Sequence, residues 1–327
     1  MLPCVPRVHC GGELNSRPLG RTGLTVSALS FGTVALGIDY GIHTPGEYGR
    51  PDDNAAIALL REAVERGLTL IDTSPFYGES ERLVGLALGA DPRATIATKV
   101  WAGPGMAPGT GHLTVPQAVA RSLETSRRVL QRDVLDVVQV RNATRDIIED
   151  GTATAALCEA KARGLIGCLG ATVYDEETAL AVIHDGRFDL VQIALSALDQ
   201  RMLPRVMPAA AAAGIGVIVR SAFLKGALTP KAQWLPETLA PLRAAAGRAR
   251  DLLAGGSWDR LPEAAMRFCL SVPHVSSVLT GARTLAELDE AIAAEAAGPL
   301  DPSTLARAAD LALVDDRLLN PAFWGIQ

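Results

Sequence analysis

The chain has 327 residues, 48% of them hydrophobic and 20% charged, with a formal net charge of -5. That much apolar material supplies a packed core and sets aside a wholly disordered chain, while the acidic balance argues against a general nucleic-acid partner, which asks for a basic face. Cys4, Cys10, Cys158, Cys168 and Cys269 are odd in number and irregular in spacing; they suggest neither a disulfide framework nor a zinc set, and they suit a reducing cytoplasm.

Residues 1–13 are rich in Pro and Gly, lack the apolar core of a secretory signal, and read as a loose extension ahead of one domain at 14–327. No stretch reaches the roughly 18 apolar residues of a membrane span. The segment PLGRTGLTVSALS sets two short alternating runs around Arg21-Thr22-Gly23, the pattern of a β-hairpin. Eight short apolar runs follow, at 29–34, 68–72, 95–100, 134–140, 167–172, 190–193, 216–219 and 275–279. Between them, segments at 54–66, 115–130, 152–163, 176–184, 203–213 and 262–270 carry apolar residues near the helical period, and Ser80 opens another helical pattern. Continuous apolar strands are buried on both faces, as in a parallel sheet covered by helices. The repeated alternation predicts an α/β fold, a single (β/α)8 TIM barrel, with the hairpin at its N-terminal end. The longest irregular stretches are 37–51, 102–114 and 224–258. The first two follow strands, which places them at the C-terminal face, where barrels keep their active sites.

Polar residues gather at the predicted strand ends: Asp72 and Tyr77, Lys99, Arg141 and Asn142, Thr172, Gln192 and Ser196, then Arg220 and Ser221. A buried lysine must be paired, and Asp72 on the neighbouring strand can pair with Lys99. A phenol titrates near about 10, and a nearby ammonium lowers that value by favouring the phenolate. Tyr77 beside Lys99 could then give or take a proton near neutral pH. The same spacing also fits Asp72 as a cap and Tyr77 as a packed aromatic.

The segments LGRTGLTVSALSFGT, LIDTSPFYGESERLVGLAL, TKVW, RSLETSRRVLQRDVLDVVQV, LGATVY, VQIALSALDQR, RSAFLKGALT and SVLTGARTLAEL, in that order over 17–294, resemble the aldo-keto reductase family. Within it, GTVALGIDYG, DQRM and RSAFLKG look like the branch of bacterial sugar and cell-surface polysaccharide pathways and the aldose dehydrogenases. The resemblance implies a (β/α)8 barrel that binds NADPH or NADH without a Rossmann domain and moves a hydride to or from a carbonyl carbon. It implies a tetrad of Asp, Tyr, Lys and His, three of which match Asp72, Tyr77 and Lys99. Arg141 stands where the family has its His. A guanidinium stays protonated and only donates, so it relays no proton. It could bind the carbonyl or an anionic group, which suggests an anionic or sugar-like substrate, and its charge would favour Tyr77 as a base. Alternatively it turns away, toward Asp146 or another acid, and activity is altered. His43 and His112 are further imidazoles on mouth loops.

The resemblance also assigns cofactor positions. Thr172 and Gln192 lie at the carboxamide, with Val173 where the family has Asn. Arg220, Ser221 and Phe223 follow strand seven, Arg220 standing where many members stack a Tyr on the nicotinamide. Gly281 and Arg283 fit the loop and helix N-terminus that take the adenosine phosphate. Arg283 favours a 2'-phosphate and Glu287 a 2'-hydroxyl, a balance that tips toward NADP(H) over NAD(H). For substrate, Tyr40, Trp101 and Trp324 are placed at the mouth, with Tyr48 and Phe323 beside them; Trp324 equally fits a tail anchor. The expected partner is a small carbonyl or alcohol, with no metal, nucleic acid or membrane. The other reading is a nucleotide-binding regulatory or non-redox member with altered activity.

Overall fold

The computed structural model describes residues 14–45, 49–102 and 113–326. Strands β1 (Ser16–Pro18) and β2 (Thr25–Ser27) pair antiparallel as a hairpin. The barrel is built from β3 (Leu29–Gly32), β4 (Leu70–Asp72), β5 (Thr95–Val100), β6 (Leu135–Val140), β7 (Ile166–Thr172), β8 (Leu190–Ala194), β9 (Gly216–Arg220) and β10 (Ser277–Thr280). All eight run parallel in chain order, and β10 closes the ring on β3. The expected barrel and hairpin are therefore present, with strand ends shifted by one or two residues.

Two inward layers explain why the site lies at one end. Successive strand residues alternate between faces, so positions two apart share the barrel interior. The lower layer is apolar: Leu70, Ala97, Val137, Cys168, Leu190 and Ile218 pack with Leu19 and Val26 of the hairpin region into one small cluster. Leu19 and Val26 thus plug the N-terminal opening, and Arg21 secures the plug by donating to the carbonyls of Gly186 and Phe188. Two residues further along, the same strands present Asp72, Lys99, Gln139 and Gln192, with Thr172 four residues past Cys168, all buried. The polar layer sits at the C-terminal end.

The helices around the barrel start on side-chain caps at Asp52, Thr144, Asp175 and Thr284, and on a capping box of Thr114 and Gln117. One expectation is corrected. The stretch 224–258 is not irregular throughout: it holds the helix Ala240–Ala254. Its buried face is Leu242, Ala245, Ala246 and Ala249. Leu242, Ala245, Ala246 and Ala249 recur at helical spacing, so this period was present in the sequence and the reading passed over it. Short helices at Arg145–Asp150 and Pro302–Ala308 were also outside the periodic segments. No helix among the described residues is long and apolar enough to cross a membrane.

Candidate active site

Lys99 is 2% exposed, and its ammonium donates to Asp72 Oδ2 at 2.6 Å and to the Thr73 carbonyl at 2.8 Å. Such a charge is tolerated inside a protein only when paired. Asp72 has a second oxygen to satisfy, and two amides do so: Gln192 Nε2 at 2.8 Å and Gln139 Nε2 at 3.2 Å. Register sets this up, since Asp72 pairs with Ala97, Lys99 with Gln139 and Thr172 with Gln192. Gln139 was not singled out from the sequence. It reads there as one polar residue in an apolar strand, and that interruption was the available signal. Behind the strand, Glu81 accepts from Thr98 Oγ1 and Ser126 Oγ, and burial pushes its carboxyl up.

Tyr77 sits in the turn between β4 and the helix Ser80–Leu88. The Lys99 ammonium lies 4.9 Å from its ring centroid. The turn is fixed by close backbone approach to Gly37, where a Cβ would come within 1.8 Å of the Tyr77 carbonyl oxygen. Gly78, at φ +55, packs against the same spot. Ser80 Oγ donates to the Thr33 carbonyl at 2.6 Å, and Thr33 Oγ1 donates to the Asp72 carbonyl at 3.0 Å, so Tyr77 and Asp72 share one hydrogen-bonded frame.

Arg141 does not turn away. Its guanidinium carbon lies 4.7 Å from the Phe76 ring centroid and 5.2 Å from that of Trp101. The two rings are 5.9 Å apart and tilted by 55°. Among the described residues no carboxylate pairs with it, Asp146 included. Phe76 is therefore a site residue that the sequence reading passed over. His43 is exposed and outside the cleft, so it does not stand in for an imidazole there; His112 and Tyr48 lie outside the described residues.

These groups line a cleft of about 1120 Å3. One end holds Asp72, Tyr77, Lys99, Arg141 and Asn142; the wall carries Thr172, Gln192, Arg220, Ser221 and Phe223; the far end holds Gly281, Arg283, Glu287 and Glu290. Arg220 stacks on Tyr174 at 3.9 Å and donates to the Val173 carbonyl at 2.9 Å. Tyr174 is a second aromatic missed in the sequence. The Thr172 hydroxyl accepts from the Asn142 backbone at 2.7 Å and retains its own proton to donate. Tyr40 also lines the cleft. Its outer edge keeps the residue 37% exposed, while its phenol lies near Tyr174, Arg220 and Tyr77; burial first, then Tyr174, pushes it up to about 12. Tyr40 thus stays a hydrogen-bond donor at neutral pH.

Two placements differ from expectation. Trp324 is 5% exposed, donates its indole N–H to the Leu318 carbonyl at 3.2 Å, and does not line the cleft. It anchors the tail, because a large apolar ring next to the barrel core gains more by burial than at the rim. Arg283 does not stand alone for a phosphate. Its backbone N–H donates to Glu287 Oε2 at 2.6 Å, and its guanidinium lies 3.4 Å from Oε1.

The cleft exceeds the roughly 300–1,000 Å3 of a pocket for one drug-sized ligand. It suits an extended dinucleotide together with a small substrate: amide and hydroxyl groups at Gln192, Thr172 and Asn142 for a carboxamide, cations at Arg220 and Lys225 for a pyrophosphate, and a polar helix start for a ribose.

The sequence profile described as "Aldo/keto reductase family" matches residues 28–312. L-galactose dehydrogenase of Arabidopsis thaliana is 28% identical over 297 residues, 86% of this chain and 88% of that protein. NADH-specific methylglyoxal reductase of Escherichia coli is 30% identical over 227 residues, 65% of this chain and 68% of that protein. Aldo-keto reductase AKR11C1 from Bacillus halodurans, solved in its holo form, superposes with a TM-score of 0.75 over 93% of this chain and 99% of that one, at 24% identity.

Proposed function

Since this chain belongs to the aldo/keto reductase family and is a carbonyl–alcohol oxidoreductase by that membership, we propose that Tyr77 is its acid/base, acting on a sugar-like or anionic small molecule. The observation that carries this reading is the buried Lys99–Asp72 pair with its ammonium 4.9 Å from the Tyr77 ring. The nicotinamide, when bound, supplies or accepts the hydride. In reduction, Tyr77 gives its hydroxyl proton to the oxygen of the former carbonyl; in oxidation it takes the proton from the alcohol. Lys99 stabilises negative charge on the phenol oxygen, and its own charge is balanced by Asp72. Gln139 and Gln192 fix the orientation of Asp72 and so hold Lys99 in register. Arg141 takes the place of the tetrad His as a fixed donor, not as a relay.

Thr172 and Gln192 would hold the nicotinamide end, Arg220, Ser221 and Phe223 the middle, and Gly281, Arg283 and Glu287 the adenosine end. The Arg283–Glu287 pair offsets the charge that Arg283 alone would offer a 2'-phosphate, so the lean to NADP(H) weakens and NAD(H) becomes the preferred partner. The L-galactose dehydrogenase relative supports a sugar-like substrate, and the NADH-specific relative supports the cofactor. Tyr40 would face the substrate, while Trp101, which does not line the cleft, would act from behind Arg141 and Phe76. Buried unpaired thiols at Cys168 and Cys269 fit a cytoplasmic setting.

Tyr77→Phe tests the central role. Turnover is expected to fall at least about 100-fold, while fluorescence titration gives a cofactor Kd within about twofold of wild type. Unchanged turnover removes Tyr77 as the acid/base. Cofactor that binds wild type tightly but never turns over with any carbonyl or alcohol would favour the regulatory, non-redox reading.

A further inference from the structure

We propose that Arg141, resting against the adjoining rings of Phe76 and Trp101, is a specificity-determining seat for a substrate carboxylate. The enzyme then acts on a small hydroxy or oxo acid in preference to its neutral counterpart. This deepens the redox reading, on which it rests for the position of the reacting carbon.

Rings at 4.7 and 5.2 Å cover the guanidinium of Arg141. Aromatic contact favours a cation but satisfies none of its N–H groups. The donors left are those along the guanidinium edge, a planar fork that matches a carboxylate. The neighbouring cations are already engaged: Lys99 with Asp72, and Arg220 with the Val173 carbonyl and the Tyr174 ring. Among the described residues neither Arg141 nor Arg220 has a carboxylate partner, but Arg220 is turned onto the Val173 carbonyl and the Tyr174 ring, which leaves Arg141 as the cation beside Lys99 and Tyr77 with its hydrogen-bonding edge open. A partly desolvated charge of this kind costs free energy until an anion arrives. The planar two-oxygen edge of a carboxylate matches the open edge of one guanidinium.

Position agrees with chemistry. Gln139 touches Asp72, and Arg141 follows it by two residues just past β6. At about 3.3 Å per residue, the backbone of Arg141 lies about 7 Å further toward the mouth than that of Gln139, so the seat borders the mouth side of the Asp72–Lys99 pair.

Oxamate and oxamide have nearly the same shape and differ in charge. With NAD(H) present, binding is followed by tryptophan emission, and heat capacity scans check that each variant is folded. Wild type is expected to prefer oxamate at least about thirtyfold. Arg141→Met abolishes that preference, weakening oxamate far more than oxamide; Arg141→Lys restores only part of it, because an ammonium lacks the fork. Equal binding of oxamate and oxamide by wild type, or a preference that survives in Arg141→Met, overturns the seat. Tighter binding of inorganic phosphate than of oxamate overturns the carboxylate assignment. Turnover of glyoxylate against glycolaldehyde separates the two proposals. Arg141-dependent oxamate binding with no turnover of either leaves the seat and removes the redox reading. Equal, Tyr77-dependent turnover of both, with no oxamate preference, keeps the redox reading and removes the seat.

Discussion

Glu287 shows how much one side chain decides. Its carboxylate caps the backbone N–H of Arg283 and pairs with the guanidinium four residues back. A 2'-phosphate placed there meets a cation whose charge is already offset and a carboxylate that repels it. Glu287→Gln removes the repulsion but keeps an oxygen to accept from the Arg283 backbone. We expect the Kd for NADP(H) to fall about tenfold while that for NAD(H) stays within about twofold, read by parallel fluorescence titrations. No change in the ratio would place cofactor choice elsewhere. The sequence displayed both residues and their opposed preferences, but only the structure shows them spending their charges on each other. Arg141 is the converse case: its identity and place were legible, and its freedom from Asp146 was not.

At the scale of elements, the turn that carries Tyr77 is held from outside by the short helix Val34–Gly37. Gly37 meets the Tyr77 carbonyl and Ser80 where a Cβ would stand 1.8 and 2.5 Å away. Neither distance leaves room for a methyl group, so Gly37→Ala must push the Tyr77 turn off its frame. The expected result is a loss of about 1–3 kcal/mol in urea unfolding together with a fall in kcat of about 100-fold, since a shift near 1 Å in a reacting group is enough. Cofactor affinity is expected to change far less, because the residues proposed for its pyrophosphate and adenosine lie on other loops. Wild-type kcat in the variant would show that the turn is positioned by β4 alone. This coupling was hidden in the sequence because Gly37 and Tyr77 belong to different loops that meet only when β3 and β4 pair.

Across the whole molecule, the barrel separates stability from chemistry along its axis. The plug around Leu19 closes the apolar floor, and the polar layer above it carries Asp72, Lys99, Gln139 and Gln192. Leu19 is fully buried. Leu19→Ala should destabilise by about 2–5 kcal/mol in urea melts, through lost burial and the cavity left behind. The kcat/KM of the surviving folded enzyme should match wild type, since the floor lies at the opposite end from the cleft. A large fall in kcat/KM at full folding would show that the two layers are coupled through the strands.

The sequence alone determined the barrel, the hairpin before it, and the strand ends that bear Asp72, Tyr77, Lys99 and Arg141. These follow from local chemistry: period-2 and period-3.6 burial, turn residues, and polar residues that interrupt apolar runs. The tertiary structure decided what those residues touch. It set Gln139 on Asp72, closed Phe76 and Trp101 over Arg141, laid Arg220 on Tyr174, paired Arg283 with Glu287, and sent Trp324 into the core. It also showed the helix Ala240–Ala254 inside a stretch expected to be irregular. Each of these depends on register and ring closure between strands far apart in sequence, and no local pattern encodes which side chains such closure brings face to face.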